Sequence, residues 1–306
     1  MTTHTLQFSA VGKVYNAKPA LKNVSLNVQE GSITLLVGHN GAGKTTMMKL
    51  LLGLIRPTSG EVRVLGHDPA GADGINARIH LGFLPETVSF QPAMTGLDAL
   101  RFYARLKRAD VRANWELLEK VGLQDAAHLR IKTYSKGMRQ RLGLAQAMLG
   151  SPQVLLLDEP TTGLDPALRR RFYDMLSALK NAGTTILLSS HALSELETRI
   201  DKVVIMDQGQ RVASGTLADL RQRANIPIRL RLHTQSGAAN GVVERLAGID
   251  LNMVNGRTVE FSCAAKDKMA LLRRISEVGG AVEDVDIERP SLDQLYAYYR
   301  NEGEDQ

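Results

Sequence analysis

The sequence predicts an α/β fold with two domains, on the strength of three observations. Short apolar runs alternate with helical patterns over the first half of the chain, as in parallel sheets that helices cover on both faces. A glycine-rich segment separates one of these runs from the helical pattern after it. Beyond about residue 222 the pattern becomes β-α-β-β-α-β, which is typical of a small ferredoxin-like domain. We therefore expect domains at 1–221 and 222–306.

Composition narrows the class of protein. The 306 residues suit two domains, and 43% apolar with 23% charged residues excludes disordered, collagenous and coiled-coil chains. No apolar run could span a bilayer and no secretory signal precedes the first domain, so we expect the reducing cytosol. The single Cys263 provides no disulfide framework, and together with the histidines it forms no metal-ligand spacing. The net charge of +6 could indicate nucleic acid or anionic lipid, but we favour scattered surface Lys and Arg and expect no nucleic acid.

The elements of the first domain follow from these runs. ITLLVG at 33–38 is a buried-strand pattern, and TTMMKLLLGLI at 45–55 has the helical period. VLLLDEP at 154–160 and TTILLSS at 184–190 are further apolar runs that end in polar residues. Ligands of parallel sheets bind beyond the carboxyl ends of the strands, which is where these polar residues stand.

The second domain has its own series of elements. The Asn255-Gly256 pair predicts a tight hairpin of type I′, because both central positions of that turn need a positive φ. The expected elements are strand 228–233, helix 239–248, strands 251–254 and 258–263, helix 266–278, strand 282–287 and helix 291–300.

The segment GHNGAGKTT at 38–46 fits the phosphate-binding pattern G-x-x-x-x-G-K-[ST], between a predicted strand and a predicted helix. Successive backbone N–H groups of such a loop point into one concavity and bind phosphate oxygens, next to the positive end of a helix. Lys44 would place its charge between the β- and γ-phosphates, and Thr45 would offer a hydroxyl to Mg²⁺. The other loop residues assigned to phosphate binding are Gly38, Asn40, Gly41, Ala42, Gly43 and Thr46.

Two acids end the VLLLDEP strand. Asp158 is placed to hold Mg²⁺, and Glu159 to polarise a water that attacks the γ-phosphate. An acidic strand-to-loop turn is the plainer interpretation, and the upstream glycine-lysine loop disfavours it.

Two further features say little by themselves. Ser135 in YSKGMRQR at 134–141 is an ordinary helix N-cap, and a histidine at a strand end, such as His191, is more often structural.

Taken together and in this order, the segments resemble the nucleotide-binding subunit of ATP-binding cassette (ABC) transporters over residues 5–215. GHNGAGKTT resembles the Walker A loop, VLLLDE the Walker B strand, YSKGM the signature loop and TTGLD, which ends at Asp165, the D-loop. His191 resembles the switch histidine and Tyr15 the aromatic that stacks on adenine, although a half-buried strand tyrosine is the alternative for Tyr15. The resemblance implies a P-loop ABC ATPase core with a helical subdomain at about 87–150.

The resemblance also implies a mechanism. Two copies pair head to tail as a homodimer, and each ATP lies between the Walker A loop of one copy and the signature loop of the other. Ser135 and the backbone of Gly137 would face the γ-phosphate that the other copy's Lys44 holds, with Asp165 nearby. Catalysis would depend on Glu159, His191 and Glu86, with ATP and Mg²⁺ as the bound groups.

Three residues depart from the family pattern. Lys136 replaces a glycine and Met138 a glutamine of the signature loop, while Ser135 and Gly137 remain. Glu86, in GFLPE, replaces a glutamine, and its carboxylate can still ligate Mg²⁺ while adding negative charge beside the γ-phosphate.

The implied function is the ATPase of a transporter whose integral membrane permease is a separate chain, at the cytoplasmic face of the inner membrane. The family docks its permease near 91–108, where Phe90, Met94, Leu97 and Phe102 are either contacts or core residues. Three other protein classes are the alternatives, and each has its own sequence pattern. Soluble ABC proteins of translation carry two cassettes in one chain, and those of DNA repair insert a long coiled coil between the Walker A loop and the signature loop. P-loop GTPases need an N-K-x-D segment that recognises guanine. None of these patterns occurs here.

The transported substrate is a separate question. The chain as a whole resembles the ATPases of copper-linked transporters that mature nitrous oxide reductase, which would add a copper or sulfur species as cargo and a periplasmic accessory protein. The alternative is a generic export ATPase for a drug, lipid or polysaccharide.

Overall fold

A computed structural model describes residues 4–190, 193–246 and 251–304. The chain divides into two compact units, Met1–Thr216 and Leu217–Gln306. The expected boundary after residue 221 falls inside a helix, Leu217–Ala224, that belongs to the second unit. The Tyr299 hydroxyl donates a hydrogen bond to the carbonyl of Leu220 in that helix at 2.8 Å, which joins it to the C-terminal part of the chain.

The described residues of the first unit form two sheets. A six-stranded sheet has the order β5-β6-β7-β3-β8-β9 and is parallel except for the β8–β9 pair. A three-stranded antiparallel sheet has the order β2-β1-β4. The strands are β1 (His4–Tyr15), β2 (Lys18–Gln29), β3 (Ile33–Val37), β4 (Ser59–Val64), β5 (Leu81–Leu84), β6 (Val154–Asp158), β7 (Thr185–Ser189), β8 (Lys202–Asp207) and β9 (Gln210–Gly215). The helices are α1 (Lys44–Leu51), α2 (Gly74–Ile79), α3 (Gly96–Leu106), α4 (Asn114–Lys120), α5 (Lys136–Ala147) and α6 (Pro166–Asn181).

The three apolar runs of the sequence form the middle of the large sheet. Every residue of β3, β6 and β7 is buried, as expected for parallel strands that are covered on both faces. The predicted α/β core is therefore confirmed, and the carboxyl ends of these strands lie at one edge of the sheet.

The antiparallel sheet was not predicted. In β1, Leu6, Phe8 and Val11 are buried, but the pairing with β2 shifts register between Phe8 and Val11, where Ala10 has a φ of 51°. A bulge of this kind interrupts the period-2 alternation on which strand prediction depends.

The segment between β5 and β6 is helical and holds α3, α4 and α5. The four apolar residues named as possible permease contacts differ in how far their side chains are exposed. Phe90 and Leu97 are buried, Met94 is half-buried, and Phe102 is 49% exposed. Of these four residues, Phe102 is thus the one with the most exposed side chain, at about half of its area.

The second unit has the predicted ferredoxin-like order. Its strands β10 (Ile228–Thr234), β11 (Leu251–Asn255), β12 (Thr258–Cys263) and β13 (Val282–Glu288) form an antiparallel sheet in the order β11-β12-β10-β13. Its helices are α7 (Leu217–Ala224), α8 (Ala239–Arg245), α9 (Lys268–Glu277) and α10 (Leu292–Glu304). Alternate residues of β10, such as Leu230 and Leu232, are fully buried.

The hairpin between β11 and β12 differs from its prediction. Asn255 pairs with Thr258, so the turn residues are Gly256 and Arg257, and neither Asn255 nor Gly256 has a left-handed φ. The Asn255 side chain instead accepts a hydrogen bond from the Arg257 N–H at 2.9 Å, which is an Asx-type contact that stabilises the turn without a type I′ geometry. Throughout the described ranges, none of the helices is both long and apolar enough to cross a membrane.

Candidate active site

A cavity of about 440 Å³ lies where β3 and β6 end and α1 begins. Ala20 and His39 line it together with most of the residues that the sequence singled out. Those residues are Tyr15, Asn40, Gly41, Gly43, Lys44, Thr45, Thr46, Glu86, Asp158 and Glu159.

The loop from β3 to α1 takes its shape from two glycines. Gly43 has a φ of 106°, and a Cβ there would lie 2.7 Å from the Leu21 side chain, so the close approach of β2 requires glycine. At Gly38 a Cβ would lie 2.7 Å from the carbonyl oxygen of Met206. Gly38 and the fully buried Ala42 therefore pack against the sheet, and neither residue lines the cavity.

The Lys44 side chain is 8% exposed and folds back over its own loop. Its Nζ donates to the carbonyl of Gly38 and, at 3.3 Å, to that of His39. Burial lowers the pKa of Lys44, while the carboxylates of Glu159, Asp158 and Glu86 oppose that shift. The ammonium therefore lies in a buried site with acids around it, where it can meet an anion.

Asp158 and Glu159 are buried at the end of β6. The Ser189 hydroxyl, at the end of the neighbouring β7, donates to Asp158 Oδ1 at 2.6 Å and accepts from the Glu159 N–H at 3.0 Å. Glu159 has a φ of 47°, a left-handed conformation that is uncommon outside glycine. The hydroxyl of Ser189 thus holds one acid by its side chain and the other by its backbone.

Sequence reasoning missed Ser189 and His39. Ser189 is opposite Asp158 in the β6–β7 register, and the signal was available, because both apolar runs end in a polar residue at the same strand position. His39 lies in the phosphate-loop segment and its Nε2 is 2.8 Å from the Asp207 carboxylate. No motif position pointed to that contact.

Tyr15 and Glu86 lie at the more exposed side of the cavity. The Tyr15 ring is 40% exposed, and the Lys13 ammonium lies 5.1 Å from its centroid. A ring that is held in this way and open on one side can stack on a flat aromatic ligand.

The signature and D-loop residues lie outside this cavity. Ser135 caps α5 by accepting from the Met138 N–H at 3.2 Å, and Asp165 caps α6 by accepting from the Leu168 N–H at 2.9 Å. A Cβ on Gly137 would lie 3.3 Å from the Gly163 carbonyl oxygen, so the two segments are neighbours within one chain. His191 lies outside the residues that the structure describes.

Comparison with known proteins agrees with this geometry. Residues 21–162 match the family model described as ABC transporter. The daunorubicin resistance ATP-binding protein DrrA3 of Streptomyces coeruleorubidus is 35% identical over 94% of this chain and 92% of its own length. A solved ATP-binding subunit of an ABC transporter superposes with a TM-score of 0.67 at 31% identity, covering 72% of this chain and 93% of that one.

A second solved structure has a bound product. It is a dimeric ATP-binding cassette in a post-hydrolysis state with ADP and phosphate, 25% identical, with a TM-score of 0.64 over 69% of this chain and 98% of that one. In this chain one cavity unites a buried lysine with two buried acids. The chain therefore belongs to the ABC transporter family, as one of its ATP-hydrolysing, ATP-binding subunits.

Proposed function

We propose that this chain powers a transporter whose membrane-spanning permease is a separate polypeptide, from the cytoplasmic face of the membrane. The single observation that supports it best is the cavity that unites Lys44 with Asp158 and Glu159 in a member of this family. The permease is inferred from the family resemblance, and the half-exposed Phe102 on α3 is our candidate contact with it.

In this proposal the loop at 38–46 binds the triphosphate through backbone N–H groups and the α1 N-terminus. The Lys44 ammonium moves from the carbonyls of Gly38 and His39 to the β- and γ-phosphates, exchanging one set of oxygen acceptors for another. The adenine stacks on the open face of Tyr15.

The donor set around the cavity fits Mg²⁺. Thr45, Asp158 and Glu86 offer a hydroxyl and two carboxylates, and oxygen ligands are what Mg²⁺ prefers. Among the described residues no group of three or more His, Cys, Asp or Glu could hold a metal by itself, which suits an ion that also takes phosphate and water oxygens. When bound, Mg²⁺ would neutralise charge on the β- and γ-phosphates.

Glu159 is the proposed general base. Its buried carboxylate would orient the attacking water and take up its proton, while the Ser189 hydroxyl fixes the backbone at that point. Glu86 and His191 are the other residues that we assign to this step, on the resemblance alone.

A second copy of the chain completes the site in this proposal. Ser135, Gly137 and Asp165 lie outside the Lys44 cavity, so one chain does not bring all the assigned residues to one nucleotide. A head-to-tail homodimer would place Ser135 and the Gly137 backbone of each copy against the γ-phosphate that the other copy holds. The dimeric relative with ADP and phosphate supports this arrangement.

For the cargo we propose export. The name of the daunorubicin resistance relative supports a drug or another amphipathic compound, as in a generic export ATPase. The narrower proposal, a copper or sulfur species for the maturation of nitrous oxide reductase with a periplasmic accessory protein, rests on the whole-chain resemblance. In that case the metal would be handled by the partner proteins.

Lys44→Ala tests the nucleotide site. The phosphates lose their buried cation, so ATP affinity should fall about 10–100-fold, the effect of losing a charge-assisted hydrogen bond, and hydrolysis should fall with it. Lys49→Ala, on an exposed position of the same helix, is the matched control and should leave both unchanged. Unaltered affinity and turnover in Lys44→Ala would remove the loop from the mechanism.

The genes beside this one test the cargo. A neighbouring six-span permease with a periplasmic repeat protein, and loss of copper from nitrous oxide reductase on deletion of this gene, would support the narrower proposal. Sensitivity of the deletion strain to an amphipathic drug, with nitrous oxide reductase intact, would support generic export instead.

A further inference from the structure

The second unit contains a basic pocket that the ATPase function does not use. It is a cavity of about 500 Å³ between α7, the segment before α9 and the link from β13 to α10. Four cationic residues line it: Arg221, Lys266, Lys268 and Arg289. No carboxylate lines this pocket in the part of the chain that the structure describes, and its apolar wall includes Ile226 and Ile228.

The cations of the nearby sheet, in contrast, are paired with carboxylates. On β10, Arg229 and Arg231 are 3.1 Å from the carboxylate of Glu260, and His233 is 2.9 Å from that of Asp286. Within the described ranges, Lys266, Lys268 and Arg289 make no ion pair. Like charges that face one cavity repel each other, so this arrangement gains free energy from a bound anion.

The local backbone adds to the positive potential. Helix α9 begins at Lys268, and the side chain of its N-cap residue, Asp267, makes no capping hydrogen bond. The N–H groups of the first turn are therefore not taken by that carboxylate, and the positive end of the helix dipole lies beside Lys266 and Lys268. The Arg221 Nε donates to the Pro290 carbonyl at 2.8 Å, and both residues line the pocket.

We propose that this pocket binds a phosphate-bearing anion. Four cations suit a multiply charged ligand, and a phosphate group carries more charge than a carboxylate and offers more acceptor oxygens. Lys ammonium groups bind phosphate as point charges, and Arg adds a fork of donors that matches phosphate oxygens. The apolar wall at Ile226 and Ile228 would contact the carbon part of the same ligand.

The phosphate could belong to a free small molecule or to the headgroup of an anionic phospholipid. Both present the same chemistry to Lys266, Lys268 and Arg289, and they differ in whether the ligand is presented in solution or on a bilayer. The experiment therefore needs one arm for each source.

Calorimetric titration with inorganic tripolyphosphate at low salt is the first arm, on the full chain carrying Lys44→Ala so that the catalytic loop is weakened. In that background the double variant Lys266→Gln/Lys268→Gln should bind at least about tenfold more weakly, because two charge-assisted contacts are lost. The pair Arg257→Gln/Arg273→Gln removes the same charge from exposed positions of the same unit outside the pocket, and it should bind within about twofold of its parent.

Flotation with phosphatidylglycerol vesicles, against phosphatidylcholine vesicles, is the second arm. Vesicle binding that needs Lys266 and Lys268, without tripolyphosphate binding, assigns the phosphate to a lipid headgroup, and the reverse result assigns it to a free anion. Equal losses in the two double variants, or no binding in either arm, would overturn the proposal. Equally tight binding of triglutamate would overturn its phosphate chemistry. ATP hydrolysis by Lys266→Gln/Lys268→Gln with Lys44 intact should be unchanged, so these outcomes do not depend on the transport proposal.

Discussion

Ser189 contacts both acidic residues of the active site through one hydroxyl group. It donates to the Asp158 carboxylate and accepts from the Glu159 N–H, and it is fully buried. A side chain that orients a metal-binding carboxylate affects metal affinity although it does not touch the metal. Ser189 is therefore a positioning residue for both acids.

Ser189→Ala should weaken the Mg²⁺ dependence of ATP hydrolysis. Loss of a group that supports a ligand typically costs about 10–100-fold in metal affinity or activity, so the Mg²⁺ concentration for half-maximal rate should rise. Ser32→Ala is the control, since the Ser32 hydroxyl is also buried and bonded, at 2.6 Å to the Gln29 carbonyl, but lies outside the cavity. Equal Mg²⁺ profiles for the two variants would show that Ser189 has only a packing role.

At the scale of the element, helix α5 begins at the signature loop and is capped by Ser135. Its Gln140 side chain donates to the Pro160 carbonyl at 3.2 Å, just after Glu159. The helix that would face a second copy therefore also contacts the segment that bears Glu159, the proposed base, of its own copy.

Ser135→Arg should abolish hydrolysis and leave ATP binding by the isolated chain nearly intact, because in the proposed dimer Ser135 contacts the nucleotide that the other copy holds. Ser135→Asp separates this effect from loss of the cap, since Asp is an equally good N-cap but places a negative charge toward the γ-phosphate. It should keep the melting temperature while it loses turnover. A parallel fall in ATP binding by the isolated chain, measured by nucleotide fluorescence, would contradict the composite site.

The end of α3 carries a lysine whose charge depends on pH. The Lys107 ammonium donates to the Leu149 carbonyl at 2.7 Å, and burial lowers its pKa to about 8. Between that value and the ordinary lysine pKa of 10.5, the unfolded chain binds a proton that the folded chain has released. The free energy of unfolding that is due to this group therefore rises with pH across this interval.

Lys107→Met removes that contribution. Relative to the unmodified protein, the melting temperature of the variant should be higher at pH 7 than at pH 10. The reason is that the cost of burying the charged lysine is complete below about pH 8 and falls toward zero as the pH approaches 10.5. Lys120→Met, on an exposed residue paired with Glu116, should show no such trend. If the difference in melting temperature between the variant and the parent stays constant from pH 7 to 10, burial of Lys107 does not disfavour its charged form in the folded state.

At the scale of the whole molecule, Glu159→Gln should trap the closed assembly. The amide keeps the size of the side chain but cannot accept the proton of the attacking water, so turnover should fall about 10²–10⁴-fold. ATP affinity should hold or rise, because one negative charge beside the triphosphate is gone. With ATP and Mg²⁺ the variant should accumulate as a dimer that contains unhydrolysed ATP, as measured by light scattering and analysis of the bound nucleotide.

Asp158→Asn is the contrasting variant. It changes the neighbouring carboxylate in the same way, but it should lose Mg²⁺-dependent affinity and remain monomeric. The complete transporter is the sample of choice if the isolated subunit associates weakly. Normal hydrolysis in Glu159→Gln would exclude Glu159 as the base and leave His191 as the next candidate.

Prediction from the sequence succeeded where one local signal determines the result. The uniform apolar runs of β3, β6 and β7 specified buried parallel strands, and the segments of the ferredoxin-like unit were located to within a few residues. It failed where tertiary contacts decide. A bulge near Ala10 obscured the antiparallel sheet, and the pairing across β6 and β7 made Ser189 important.

The order of strands in the large sheet sets the spacing between the phosphate loop and Asp158. Strand β7 lies between β3, which leads to the phosphate loop, and β6, which ends at Asp158. Two interstrand spacings give about 10 Å between these strands, a length that backbone hydrogen bonds maintain. No single side-chain substitution can shorten it. Under the proposed function, a ligand that reaches from the phosphate loop to Asp158 must span this length, and the length resists the point mutations by which enzymes usually change substrate.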